Sequence, residues 1–144
     1  DELQPNRDRM EEQVIHYCVA HGIPIIATCR GMQYINVMFG GKLWYHPKLP
    51  VTRTRGMDHQ VWLVKEQRNI WVNNYHSDCI YEEGLAPCFE PLAIDRENHV
   101  VEAYGSDEMK ILALQWHPER RFETANAYEE TRKIVLDFIQ KHVK

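Results

Sequence analysis

Apolar residues recur along the chain at two spacings, and these spacings predict its helices and strands. Near the amino terminus they lie three and four residues apart, which predicts a helix over residues 8–21 with the stripe Met10, Val14, Tyr17, Cys18 and His21. Gly22 is suited to end that helix. The short β-branched segment Ile23–Thr28 predicts a strand buried on both faces, as in a parallel sheet. A second helix is predicted over residues 30–39, with an apolar side formed by Met32, Ile35, Met38 and Phe39.

Further along the chain, short apolar runs separated by polar turns predict strands over residues 61–64, 70–72, 92–94, 100–103 and 111–115. Apolar residues at helical spacing from Ala127 to Ile139 predict a carboxy-terminal helix. This order predicts an α/β fold with three layers, in which helices flank a mostly parallel sheet that carries an attached antiparallel section. Since domains of about 100–150 residues are the commonest, we expect residues 1–144 to form a single domain.

Composition and charge narrow the range of functions. Hydrophobic residues make up 44% and charged residues 26% of the 144, which is typical of a globular protein. The 17 basic and 21 acidic residues give a net charge of −4 without a long basic run, so we do not expect nucleic acid as a partner. No apolar segment approaches the ~18 residues of a membrane span, so we expect no membrane role either.

The cysteines and histidines do not have the spacing of a metal site. Cys18, Cys29, Cys79 and Cys88 form no CxxC pair, and the eight histidines include no pair with HExxH-like spacing. We therefore expect no metal, and we interpret the cysteines as reduced thiols of a cytoplasmic protein.

One cysteine lies where a predicted strand meets a predicted helix. Residues 27–31 are Ala-Thr-Cys-Arg-Gly, the pattern of a nucleophile elbow, in which small residues two positions before and after the nucleophile let strand and helix approach. At a helix N-terminus Cys29 would meet the positive end of the helix dipole, which favours the thiolate. The backbone N–H of Arg30 would then point toward an oxyanion. The alternative is that Cys29 is a small buried apolar residue.

A base for this thiol is predicted just after the strand at residues 111–115. In the segment Gln-Trp-His-Pro-Glu (115–119), an extended backbone would place His117 and Glu119 on the same side, so that the carboxylate fixes one imidazole nitrogen and leaves the other for Cys29. Pro118 favours an extended conformation of His117. The alternative is a His-Pro turn with a solvated glutamate.

Taken together, Cys-Arg-Gly-Met-Gln at 29–33, Gly40 with Gly41, and Gln-Trp-His-Pro-Glu at 115–119 resemble the class I glutamine amidotransferase superfamily. The closer resemblance is to its γ-glutamyl hydrolase-like branch, which includes γ-glutamyl-γ-aminobutyrate hydrolases. The resemblance implies a triad of Cys29 as nucleophile, His117 as acid and base, and Glu119 as the residue that orients His117. It also implies that Gln33 and His76 lie beside the bound glutamyl group. The alternatives are that Gln33 is an exposed polar residue on a helix and that His76 is a hydrogen-bonded loop histidine.

The chain departs from the family pattern at two places. Ala27 and Thr28 stand where the family usually has a glycine and an aliphatic residue, and the small alanine should preserve the elbow. In addition, the family's second oxyanion donor comes from a glycine-rich loop that would precede Asp1, together with further strands of the sheet. We therefore expect this chain to be part of a longer enzyme that lacks its N-terminal strands here, or else a degenerate copy.

The predicted reaction is hydrolysis of a γ-glutamyl amide through a cysteine thioester, which releases glutamate and an amine and needs no cofactor. Two alternatives remain: a glutaminase that supplies ammonia to a synthetase partner, and a non-catalytic binding or regulatory domain. The locally basic residues Arg53, Arg55, His59 and Lys65 form either solvated surface or a contact for an anionic part of the substrate.

Overall fold

The computed structural model describes residues 5–45, 47, 57–120, 122 and 124–143. Arg53 and Arg55 therefore lie outside the described residues. The helices are α1 (Pro5–Ala20), α2 (Arg30–Met38) and α3 (Ala127–His142), and a short 3₁₀ helix covers Glu82–Gly84. The strands are β1 (Ile25–Thr28), β2 (His59–Leu63), β3 (Arg68–Val72), β4 (Ile80–Tyr81), β5 (Glu90–Asp95), β6 (Val100–Ser106) and β7 (Ile111–Leu114). None of the described helices is long and apolar enough to cross a membrane.

The described strands form one mixed sheet, whereas the sequence predicted a mostly parallel one. Its order is β1-β7-β6-β5-β2-β3, with β4 paired to β6. Only the β1–β7 pair is parallel among the described strands. The reason is the length of the connections: residues 64–67, 96–99 and 107–110 are turns, and a parallel pair of consecutive strands needs a crossover of a dozen residues or more.

Helices cover both faces of the sheet, as the α/β prediction requires. Along β7, Ile111 and Ala113 belong to one hydrophobic cluster while Leu112 and Leu114 belong to another. Because neighbouring strand residues point to opposite faces, these clusters lie on opposite sides of the sheet. The first includes Ile15 of α1 with Met32 and Ile35 of α2, and the second includes Ile134, Val135 and Phe138 of α3.

Two burial predictions at the amino-terminal end were wrong. The stripe predicted to be the inner face of α1 is largely exposed, with Met10 at 67% and Val14 at 56%, while Ile15 at 8% is the residue that enters the core. Likewise β1 is not buried on both faces, because it lies at the edge of the described sheet and Ile26 is 40% exposed. Periodicity identified the helix correctly but not the side that the sheet would cover.

Candidate active site

Cys29 is the single residue between β1 and α2, and its backbone makes a sharp turn. Its φ of 48° and ψ of −109° lie in a region that residues with a side chain rarely adopt. Its N–H donates to the carbonyl oxygen of Leu114 at 2.8 Å, and its carbonyl oxygen accepts a hydrogen bond from the N–H of Gln33 at 3.1 Å. The strained strand-to-helix turn predicted from the sequence is present. Cys29 thereby stands at the N-terminus of α2, where the helix dipole stabilises a negative sulfur.

The approach of strand and helix at this turn is less tight than the sequence pattern suggested. A Cβ atom built on Gly31 would lie 3.6 Å from the Cβ of Ala27, which is ordinary van der Waals contact. A methyl group therefore fits at position 31, although larger side chains would have to point away from β1.

The parallel pairing of β1 with β7 brings the second motif to the same end of the sheet. Thr28 is in register with Leu114, so the segments that follow the two strands leave the sheet side by side. Asn73 then fixes the backbone of His117 from both directions: its Oδ1 accepts from the His117 N–H at 2.9 Å, and its Nδ2 donates to the His117 carbonyl at 2.8 Å.

His117 and Glu119 meet, but through a turn rather than the extended segment predicted. The N–H of Arg120 donates to the carbonyl of His117 at 3.1 Å, which closes a turn with Pro118 at its second position, where a fixed φ near −65° is favoured. The His117 Nδ1 lies 2.9 Å from the Glu119 Oε2. Since an ionised carboxylate can only accept, Nδ1 donates, and the second ring nitrogen is left as the basic one in the neutral imidazole.

The charge state of Glu119 is set by competing influences. Partial burial alone would raise the pKa of Glu119, but hydrogen bonds from its own backbone N–H and from His117, together with the positive charges of His117 and Arg120, hold that pKa below its ordinary value. Its side chain is 60% exposed, against 13% for His117. Glu119 is thus an ionised group that water reaches from one side.

Cys29 and His117 line one cleft of about 640 Å³. Its walls come from α1, β1, the start of α2, and the segments carrying Tyr75 and Arg120. The side chain of Arg30 is turned toward α1, where it pairs with Asp8 at 2.8 Å and with Glu11 at 3.3 Å. Its backbone N–H belongs to the first turn of α2, whose N–H groups have no intrahelical acceptor. Sulfur, imidazole and a free helix N-terminus therefore meet around one space.

Gln33 and His76, which the resemblance placed beside the substrate, are not among the residues that line the cleft. Both are buried, at 7% and 8% exposure. Both donate to the carbonyl oxygen of Asp78, Gln33 through Nε2 at 3.2 Å and His76 through Nδ1 at 2.7 Å. Gln33 also donates to the side-chain oxygen of Gln115 at 3.1 Å, and Gln115 Nε2 lies 3.8 Å from the Cys29 sulfur. A chain of two amides thus links Gln33 to the Cys29 sulfur.

A buried carboxylate lies deeper in the same region. Glu102 of β6 is fully buried, and its Oε1 lies 3.5 Å from His59 Nε2 and 3.7 Å from His76 Nε2. Its carbonyl oxygen accepts the N–H of Gln115 at 2.8 Å. Buried polar groups need polar partners, and these contacts join β2, β6 and the segment of His76 around the Glu102 side chain.

Sequence reasoning assigned no role to Gln115, Asn73, Tyr75 or Arg120. An acidic residue inside the apolar strand 100–103 and an asparagine pair at 73–74 are visible in the sequence, but only the fold shows what they touch. No group of three or more histidine, cysteine, aspartate or glutamate side chains among the described residues could hold a metal ion. None of the four cysteines forms a disulfide bond.

The chain is similar to proteins of one known family. The family model of peptidase C26 matches residues 1–119, a range that contains both motifs of the site. γ-Glutamyl-γ-aminobutyrate hydrolase PuuD of Escherichia coli (strain K12) is 28% identical over 143 residues, which cover 82% of this chain and 54% of that protein. γ-Glutamyl-CDP-amidate hydrolase of Campylobacter jejuni is 30% identical over 118 residues, which cover 82% of this chain and 54% of that protein.

Solved structures show the same fold. A glutamine amidotransferase from Thermotoga maritima superposes with a TM-score of 0.63 at 19% identity, covering 94% of this chain and 57% of that one. The predicted α/β fold class and the resemblance to glutamine amidotransferases and γ-glutamyl hydrolases are confirmed. The chain spans about half the length of the curated relatives it matches.

Proposed function

Because the chain belongs to the peptidase C26 family, we propose that it carries the catalytic residues of an enzyme that hydrolyses γ-glutamyl amide bonds through a thioester on Cys29. The observation that carries this proposal is that Cys29, at a strained elbow, and His117, tied by Nδ1 to Glu119, line a single cleft. A nucleophile, a base and a group that orients the base are the parts that nucleophilic amide cleavage requires.

In the proposed first half-reaction, the Cys29 thiolate attacks the γ-carbonyl carbon and a carbon–sulfur bond forms. The carbonyl π electrons move to oxygen, and the Arg30 backbone N–H at the α2 N-terminus supports that negative charge. When the electrons return, the carbon–nitrogen bond breaks and the protonated His117 gives its proton to the departing amine. The products are a free amine and a γ-glutamyl thioester on Cys29.

In the second half-reaction, neutral His117 takes a proton from water as the water oxygen attacks the thioester carbon. The carbon–sulfur bond then breaks, glutamate leaves, and Cys29 returns as a thiolate beside a protonated His117. Glu119 accepts from Nδ1 throughout, which keeps the other nitrogen directed at the cleft. No step requires a cofactor. The thiolate chemistry suits a reducing compartment such as the cytoplasm.

The names of the two relatives support an amine leaving group over ammonia, since one is called a hydrolase of γ-glutamyl-γ-aminobutyrate and the other of a γ-glutamyl-CDP-amidate. In this proposal Gln33 and His76 act on substrate through Gln115 and the backbone near Asp78, which shape the floor under Cys29. Direct contact with the glutamyl group would require both side chains to leave these partners.

The test offers glutamine and a panel of γ-glutamyl amines to the full-length protein, and measures glutamate, amine and ammonia. We expect glutamate release from the amines, a loss of at least about 10³-fold in Cys29→Ala, and a glutamyl adduct on Cys29 after rapid acid quenching and mass spectrometry. Cys88→Ala, which removes an exposed free thiol outside the cleft, is the matched control and should retain activity.

The alternatives give different results. Faster release of ammonia from glutamine than of any amine would identify a glutaminase that feeds a partner. Equal glutamate release by the wild type and Cys29→Ala would remove Cys29 from the mechanism, and no turnover of any substrate would favour a binding domain.

A further inference from the structure

We propose, building on the function above, that Arg120 selects substrates whose leaving amine carries an anionic group, a carboxylate or a phosphate. Arg120 lines the cleft with Cys29 and His117. It is the first residue after the range that the family model matches. Its position is fixed by its backbone N–H, which closes the turn onto the His117 carbonyl at 3.1 Å. Whatever His117 protonates therefore lies close to Arg120.

The guanidinium of Arg120 is held in place by an aromatic ring. Its Cζ lies 5.0 Å from the centroid of Tyr75, and the Tyr75 ring meets the His117 ring edge-on at 6.0 Å between centroids. Stacking on an aromatic face orients a guanidinium while leaving its N–H edge free to bind. Tyr75 thus contacts both the imidazole that would donate the proton and the cation.

The positive charge of Arg120 is poorly compensated within the described part of the chain. Its ion pair there is with Glu119, at 3.9 Å between Nε and Oε2, and that same oxygen is already engaged by His117 at 2.9 Å. Arg30, the other arginine of the cleft, is matched by both Asp8 and Glu11. The cation available to a ligand is therefore on the His117 side.

This asymmetry assigns the anion to one half of the substrate. The acyl half becomes attached to Cys29, whereas the nitrogen half accepts its proton from His117. A guanidinium beside His117 binds a carboxylate or phosphate through paired N–H groups. Because His117 protonates the leaving amine, the anion bound there belongs to the amine and not to the glutamyl group. Ammonia carries no anionic group that the Arg120 guanidinium could bind.

The experiment compares pairs of γ-glutamyl amides that differ only in the end group of the amine. The arms are ω-amino carboxylates of increasing length, the corresponding aminoalkyl phosphonates, and the neutral alkylamines of equal length. In the wild type we expect the anionic members to have the higher kcat/KM. In Arg120→Gln we expect KM for the anionic members to rise by up to about fivefold, since half of the side chain is exposed and water screens the pair, with kcat and the neutral members unchanged. Arg120→Lys should retain part of the preference because it retains charge without the planar fork.

Arg96→Gln is the matched control, because the Arg96 guanidinium also lies on an aromatic ring, 3.6 Å from the centroid of Trp62, but outside the cleft. The proposal is overturned if the wild type shows no preference for anionic amines, if the preference survives in Arg120→Gln, or if that variant loses activity equally on both classes.

Calorimetric binding of the same pairs to Cys29→Ala, with and without Arg120→Gln, gives an answer that requires no turnover. Failure of hydrolysis with a retained binding preference would refute the proposed reaction and leave the assignment of Arg120 intact.

Discussion

Replacing Glu119 with glutamine separates the charge of this residue from its ability to accept a hydrogen bond. The amide oxygen of glutamine can still accept from His117 Nδ1, so the tautomer is preserved and only the ionic part of the 2.9 Å contact is lost. In a fully buried triad the corresponding change costs ~10⁴ in kcat, because the amide holds the imidazole in the wrong tautomer. An exposed glutamine can instead rotate its amide and present the oxygen to Nδ1. Here the Glu119 side chain is 60% exposed, and exposed ion pairs contribute only about 0.2–1 kcal/mol. Since 1.36 kcal/mol corresponds to tenfold in rate, we expect kcat to fall by about fivefold or less.

The assay is steady-state glutamate release by the wild type, Glu119→Gln and Glu119→Ala at matched pH. Glu119→Ala removes the acceptor as well and should cost more, about 10–100-fold. Glu82→Gln is the control, because Glu82 makes the same kind of contact with His99, at 3.1 Å, outside the cleft. A fall of 10³ or more in Glu119→Gln would refute the argument from exposure. Unchanged activity in both Glu119 variants would show that Glu119 does not orient His117.

Three further predictions concern single positions. His117→Ala should raise the pKa of Glu119, because the ring's hydrogen bond and charge help to lower it, so the carboxylate should protonate at higher pH in an NMR titration; an unchanged titration would contradict this. Arg30→Ala should lower the free energy of unfolding by about 1–3 kcal/mol in urea, with Arg30→Lys in between, because it removes the ionic link to α1. Gly31→Ala should unfold at the same or slightly higher urea concentration. Gly84→Ala should lose about 1–3 kcal/mol of unfolding free energy, since the added Cβ would collide with the ring of Trp44; equal midpoints would contradict the packing argument.

The sequence predicted those parts of the site that depend on neighbours along the chain. The elbow at Cys29 is encoded locally, by small residues at the junction of a β-branched strand and an amphipathic helix. The contact between His117 and Glu119 is also local, and it survives although the backbone turns at Pro118 instead of staying extended. The family resemblance supplied the proximity of the two motifs, which the parallel β1–β7 register then explained.

The parts that the sequence did not predict depend on long-range packing. The hydrogen-bond partners of Gln33 were not predicted, because the carbonyl of Asp78 and the side chain of Gln115 lie 45 and 82 positions away in the chain and no local pattern encodes them. Met10 and Val14 have helical spacing, yet helical spacing cannot tell which side of α1 the sheet covers. The mixed sheet follows from the short turns between consecutive strands. These turns are visible in the sequence, but the alternation of helices and strands favoured the prediction of a mostly parallel sheet.

If Cys29 is the nucleophile, as proposed, its positive φ favours activity at the expense of stability. A backbone held in such a region costs about 1–3 kcal/mol, and glycine would bear almost none of it. Selection for heat resistance alone, without an assay of turnover, should therefore enrich glycine at position 29 and lose the reaction. For the same reason Cys29→Ala, which keeps the strain, is a fairer inactive reference than Cys29→Gly, whose elbow would be free to relax.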